Sequence, residues 1–261
     1  MIEDRIRKFK TNNAQGISYR ESGSGPALVM LHGFGASSAA WLFQLESLKG
    51  FRIVAWDAPG YGDSDALPNE KPVAKDYADA LDKFVQALGL KQFVIVANSL
   101  GGLMAGAFAR AYPQRVRGML LVSPAGGHGG DQKKLAERLK QLDELGPEGL
   151  AEKRSPTLVA AKSPPVALEL VRWSQRRIRP DGYRQACHCL ANGRLAGDAA
   201  YFKSRVLVVC GTEDVITPQA GCKAIADAFP KGEYRSLAGI GHAAQIEDHV
   251  RINDIIEQIL M

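Results

Sequence analysis

Two kinds of hydrophobic pattern alternate along this chain. Short, mostly apolar runs rich in β-branched residues occur at Ala27–Leu31, Phe51–Trp56, Phe93–Val96, Val116–Val122 and Arg205–Cys210; such runs read as strands buried on both faces. Between them apolar positions recur at helical spacing, from Ser38 to Leu48, from Val73 to Leu88, and at Leu103, Met104, Ala107 and Phe108, where Tyr112-Pro113 marks an end. A helix near Pro218 to Phe229, a short strand at Tyr234–Leu237 and a final helix from about Ala243 to Leu260 close the chain. Ahead of the first run, Ile17 and Tyr19 alternate with polar residues after Asn12-Asn13, which predicts an opening antiparallel hairpin over residues 4–22. Strands alternating with helices imply right-handed crossovers and a mostly parallel sheet flanked by helices on both faces.

The rhythm stops after the glycine-rich break Gly126-Gly-His-Gly-Gly130. Residues 131–203 hold no strand pattern. Leu135, Leu139, Leu142 and Leu145 mark an amphipathic helix, and Pro147, Pro164, Pro165 and Pro180 divide the remainder into three further helices. A helical insertion between two sheet strands is expected to form a lid over the strands' carboxyl ends, where open α/β sheets place their sites. The expected division is a core over 1–126, a lid over 127–203 and the rest of the core over 204–261.

Composition narrows the function classes. A chain of 261 residues with 46% hydrophobic content is large enough for one full core. Met1–Lys10 is charged throughout and no stretch approaches a membrane span, so a cytoplasmic protein without a membrane partner is expected. The four cysteines are too scattered for a disulfide scaffold, and Cys187-His188-Cys189 lacks a second ligand pair, so no metal is expected. The net charge of +5 comes without a basic stripe interleaved with aromatics, which argues against nucleic acid. The expected partner is a small-molecule substrate, with no cofactor; a homodimer stays open.

The chemistry gathers around Ala97-Asn98-Ser99-Leu100-Gly101-Gly102. A serine between a buried strand and a helix, with glycine two positions on, suits a strained turn that presents its hydroxyl. The same turn puts the Leu100 amide at a helix N-terminus, which favours negative charge. A serine hydroxyl needs a base and an orienting carboxylate. Of five histidines, His242 in Gly239-Ile-Gly-His242 lies between the last strand and the last helix; Asp214 in Gly211-Thr-Glu-Asp214 follows the strand before it. Both fall at carboxyl ends of neighbouring strands, on the edge that carries Ser99; Glu213 is the rival acid.

The serine turn resembles the nucleophile elbow of the α/β-hydrolase superfamily, with Ala97 where glycine is commonest. The order Ser99, Asp214, His242 is that family's order. The resemblance implies an α/β-hydrolase fold, catalytic roles for these three residues and an oxyanion hole of the Leu100 and Phe34 amides, the latter from the His32-Gly33-Phe34 turn. It leaves His32 to organise that turn, and Asp57-x-Pro-Gly-x-Gly-x-Ser64 to act as a tight structural turn. Ala97–Gly102 and Gly241-His242-Ala-Ala-Gln245-Ile-Glu247 look like the meta-cleavage-product hydrolases, which split carbon–carbon bonds of ring-opened aromatics. Asn98 then either faces substrate or bonds the backbone. Residues 131–205 hold 15 Lys or Arg against 9 Asp or Glu, so Arg176 or Arg177 beside Trp173 is a candidate for binding a substrate carboxylate, unless these bases coat a solvated face. The leading expectation is a serine esterase acting through an acyl-enzyme on small, fairly hydrophobic substrates. Carbon–carbon bond hydrolysis of dienoate products and non-hydrolytic binding on the same fold are the alternatives.

Overall fold

The computed structural model describes residues 1–260. After α1 (Ile2–Arg7) come β1 (Asn12–Ala14), β2 (Ile17–Ser22) and β3 (Ala27–Leu31); a 3-10 turn at Ser38–Trp41 leads into α2 (Leu42–Ser47), followed by β4 (Arg52–Trp56). Next are α3 (Ala74–Ala87), β5 (Phe93–Asn98), α4 (Leu100–Ala111) and β6 (Val116–Val122). The helical insertion consists of α5 (Gln132–Arg154), α6 (Pro165–Gln175), α7 (Pro180–Asn192) and α8 (Leu195–Ala199). Then β7 (Arg205–Gly211), α9 (Gln219–Ala228), β8 (Gly232–Leu237), α10 (Ala244–Glu247) and α11 (His249–Leu260) complete the chain.

The eight strands form one sheet in the order β1-β2-β4-β3-β5-β6-β7-β8. Pairing is antiparallel at β1–β2 and β2–β4 and parallel from β4 onward. The continuous apolar runs bury both faces because successive side chains point opposite ways. Leu28, Met30, Val94, Val96, Leu207 and Val209 meet Trp41, Leu45 and the α11 isoleucines Ile252, Ile255 and Ile256. Val29, Leu31, Ile95, Ala97, Val206 and Val208 face Tyr77, Leu81 and Phe84 of α3, the apolar side of α4, and Cys222 and Ile225 of α9. Each fully buried Val, Leu, Ile, Phe or Met among them contributes about 1.5–3 kcal/mol by leaving water.

Two expectations are corrected and one is met. The hairpin spans only residues 12–22, because Ile2 and Ile6 place one apolar face of a short helix against Leu158 and Ala167 instead. The final helix is broken at Asp248 (φ −137°, ψ 64°), whose Oδ1 accepts the Arg251 amide at 3.1 Å and so starts α11 afresh. The expected division at Pro147 is present: the Leu135–Leu145 helix stops at non-helical Gly146 (φ 60°, ψ −178°) and a second helical segment continues to Arg154.

The insertion packs over the carboxyl ends of the strands. Gln185 Nε2 donates to the Leu67 and Asn69 carbonyls (2.6 and 2.9 Å), and Arg179 Nη1 to that of Ser64 (2.6 Å). Asp57 braces the loop beneath, accepting from Ser18 Oγ (2.7 Å) and the Ser38 amide (2.6 Å).

Candidate active site

Ser99 follows β5 directly and has φ 51° and ψ −116°, a strained backbone for a non-glycine residue. Its turn is held by three backbone bonds: the Ser99 amide donates to Val122 O (3.0 Å), and its carbonyl accepts from Gly102 and Ala125 (2.9 Å each). Close packing explains the small residues around it. A Cβ on Gly101 would stand 2.5 Å from Leu31 O, and one on Gly33 would meet Asn98 Oδ1 at 2.7 Å. Ala97 is fully buried inside the sheet, paired with Leu31 and Leu121.

His242 lies beyond β8 and Asp214 beyond β7, and their side chains meet: His242 Nδ1 is 3.0 Å from Asp214 Oδ2. The other carboxylate oxygen accepts from the amides of Ile216 (2.8 Å) and Thr217 (3.0 Å). Thr217 Oγ1 sits 2.9 Å from Oδ2 and 3.1 Å from Ser123 O; it has one proton to give, and the charged oxygen is the stronger acceptor. Burial alone would raise the Asp214 pKa, but the hydrogen bond and charge of His242 and the Thr217 amide outweigh it and hold the carboxyl at about 2. An ionised Asp214 favours the imidazole proton on Nδ1 and leaves Nε2 as the free ring nitrogen; Ser99 and His242 line the same cavity. No hydrogen bond joins Ser99 Oγ to His242 among the described residues. The structure thus brings the three residues to one site, with the carboxylate and base already engaged.

The Leu100 amide opens α4, and the Phe34 amide lies in the turn after β3; no turn or loop bond consumes either. His32 organises that turn from within. The Ala58 amide donates to its Nε2 (3.0 Å), so the proton sits on Nδ1 and is donated to Gly33 O (2.8 Å). Burial pushes its pKa down, which keeps the ring neutral. Gln175 Nε2 of α6 reaches the Phe34 and Gly35 carbonyls (3.3 and 3.0 Å), tying the insertion to the same turn.

A parallel sheet, a strained serine at the strand-to-helix turn, and an engaged Asp–His pair at the next strand ends together point one way, and similarity to known proteins agrees. The alpha/beta hydrolase fold family matches residues 26–143. An esterase from Thermogutta terrifontis superposes with a TM-score of 0.86 at 26% identity, covering 97% of this chain and 96% of its own. The enol-lactonase from Burkholderia xenovorans LB400 shares the fold, with a TM-score of 0.86 at 22% identity over 96% and 99% of the two chains. The chain has the α/β-hydrolase fold. In sequence, this hydrolase is also 26% identical to a 2-hydroxy-6-oxononadienedioate/2-hydroxy-6-oxononatrienedioate hydrolase of Comamonas testosteroni, over 94% of this chain and 93% of that one.

Of the further residues expected at the hydrolase's site, Asn98 lines the cavity, and its Nδ2 also donates to the Val122 and His242 carbonyls (3.1 and 3.3 Å). It therefore bonds the backbone and faces the cavity at once. Trp173, Arg176 and Arg177 do not line it. Arg176 pairs with Glu148 (2.8 Å) and Glu152 (2.6 Å), and Arg177 stacks over Trp173 (4.0 Å) on the exposed side of the insertion. The cations that do reach the cavity are Arg138 and Arg154. Their signal was present in the sequence: Arg138 stands on the Leu135–Leu142 face of its helix, and Arg154 one turn after buried Leu150, so each sits on an apolar stripe. Thr217, three residues after Asp214 in a turn, carried a weaker signal of the same kind.

Proposed function

We propose that this hydrolase cleaves carboxylic esters of small substrates through an acyl-enzyme on Ser99. The observation that carries the reading is the bond between His242 Nδ1 and Asp214 at the edge of a cavity that Ser99 lines. His242 Nε2 takes the Ser99 proton as Oγ attacks the ester carbonyl, and Asp214 stabilises the imidazolium. The oxyanion is received by the Phe34 and Leu100 amides, whose N–H groups lack turn or loop partners. His242 then protonates the leaving alcohol and activates water to release the acid. The helical insertion acts as a lid: it supplies Leu158, Val171 and Leu190 to the cavity wall, so apolar surface excludes bulk water.

Hydrolysis of p-nitrophenyl esters by the wild type and by Ser99→Ala tests this. The variant is expected to lose at least about 10³-fold in kcat/KM; retention of the rate overturns the assignment. Carbon–carbon bond hydrolysis is the second reading, favoured by the near full-length similarity to the Comamonas testosteroni enzyme. Turnover of a 2-hydroxy-6-oxo-dienoate faster than any ester would move the conclusion there.

A further inference from the structure

Charge in the cavity wall is one-sided. Arg138 and Arg154 line it together with His128, and no Asp or Glu does. The same insertion pairs its outward arginines with acids: Arg172 and Arg176 with Glu152, Arg177 with Glu3, and Arg184 with Asp143. Among the described residues no carboxylate pairs with Arg138 or Arg154. Both guanidinium groups stand over the Phe34 ring, at 5.2 and 5.0 Å from its centroid. Tyr183 packs against the same ring (4.3 Å) and accepts a hydrogen bond from Arg154 Nη1 (2.7 Å). On this wall His128 Nε2 is buried with no hydrogen-bond partner.

Two adjacent like charges, half-buried and without a counter-ion, are unfavourable unless something anionic visits them. The strain registers locally: burial and then the neighbouring Arg154 push Arg138 below its ordinary pKa, and burial and then Arg138 do the same to His128. An arginine keeps its charge regardless, so the cavity presents a fixed positive wall beside the turn that carries the Phe34 amide.

We infer that Arg138 and Arg154, stacked on Phe34, form a carboxylate-binding subsite, so that the hydrolase acts on esters carrying a free carboxylate apart from the scissile carbonyl. Two guanidinium forks match the two oxygens of a carboxylate and hold it in a fixed orientation. Phe34 gives the subsite a rigid floor and links it to the reacting centre. This inference rests on the hydrolase reading above.

The test compares mono-p-nitrophenyl adipate and 4-carboxyphenyl hexanoate, each against its methyl-capped neutral counterpart. The first carries the carboxylate on the acyl side, the second on the leaving group. The wild type is expected to favour at least one anionic ester about tenfold or more in kcat/KM. In Arg138→Gln/Arg154→Gln that ratio falls about tenfold, chiefly through KM, and Arg138→Lys retains part of it. Because each ratio is taken within one protein, general damage to folding cancels. Equal use of both members of each pair by the wild type, or a ratio unchanged in the double variant, overturns the inference while the hydrolase reading stands. If no ester is turned over and Ser99→Ala changes nothing, it is the hydrolase reading that fails. Calorimetric titration with adipate then reads the subsite alone: binding that the double variant loses supports it, and absence of binding to the wild type overturns it.

Discussion

Asp214 carries the most consequential single charge in the site. Its folded pKa of about 2 lies below the ordinary 3.8, so ionisation favours the folded state. That contribution is fully present above the unfolded value and is lost as pH falls from there through the folded one. Thermal unfolding followed from pH 5 down to 2 should therefore show a steeper loss for the wild type than for Asp214→Asn, which has no proton to take up. The same variant should lower kcat/KM by about 10³–10⁴-fold at neutral pH, because an amide holds the imidazole in the wrong tautomer as easily as the right one. Equal slopes for the two proteins would show that Asp214 is not held ionised. Ser99, Asp214 and His242 were legible as a set that meets at one cavity because each stands just beyond a readable strand and the proposed serine chemistry needs such partners. Arg138 was not singled out, because one cation on an apolar helix face reads as a snorkelling side chain until its surroundings are known.

At the scale of elements, the strands were read within a residue or two, since five apolar runs buried on both faces admit few alternatives. The error fell where a local break overrides periodicity: Asp248 splits the final helix by capping the next one, whereas the break expected at Pro147 is present at non-helical Gly146. Contacts between elements had no sequence signature. Gly182 in the first turn of α7 lies against Gly60 of the loop after β4, where an added Cβ would stand 1.9 Å from the Gly60 carbonyl oxygen. Backbone cannot yield as a side-chain tip can. Gly182→Ala is expected to cost about 1–3 kcal/mol, lowering the unfolding temperature by a few degrees and speeding limited proteolysis within residues 127–203. An unchanged melting curve would mean that α7 does not dock on that loop.

Across the whole molecule, the insertion and the core are joined at the His242 loop by one buried carboxylate. Glu247 accepts from the amides of Gly241 (3.0 Å) and Ala243 (3.0 Å), which flank His242, and from Ala160 (2.8 Å) and Ser163 Oγ in the insertion. Glu247→Ala leaves three buried amides without acceptors, at about 1–3 kcal/mol each. Denaturant unfolding should show a loss of about 3 kcal/mol or more, with kcat/KM falling at the same time because the His242 loop and the insertion are released together. Stability lost with full activity would confine Glu247 to folding. Among the described residues no helix is long and apolar enough to cross a membrane. The sequence by itself determined the sheet, the helical insertion and the placing of Ser99, Asp214 and His242 just beyond strand ends, because burial periodicity and strand-end position are local properties of the chain. Only the tertiary structure decided which arginines face the cavity, which glycines let two backbones touch, and which acid ties the insertion to the His242 loop, because each depends on segments 80 or more residues apart being brought into contact.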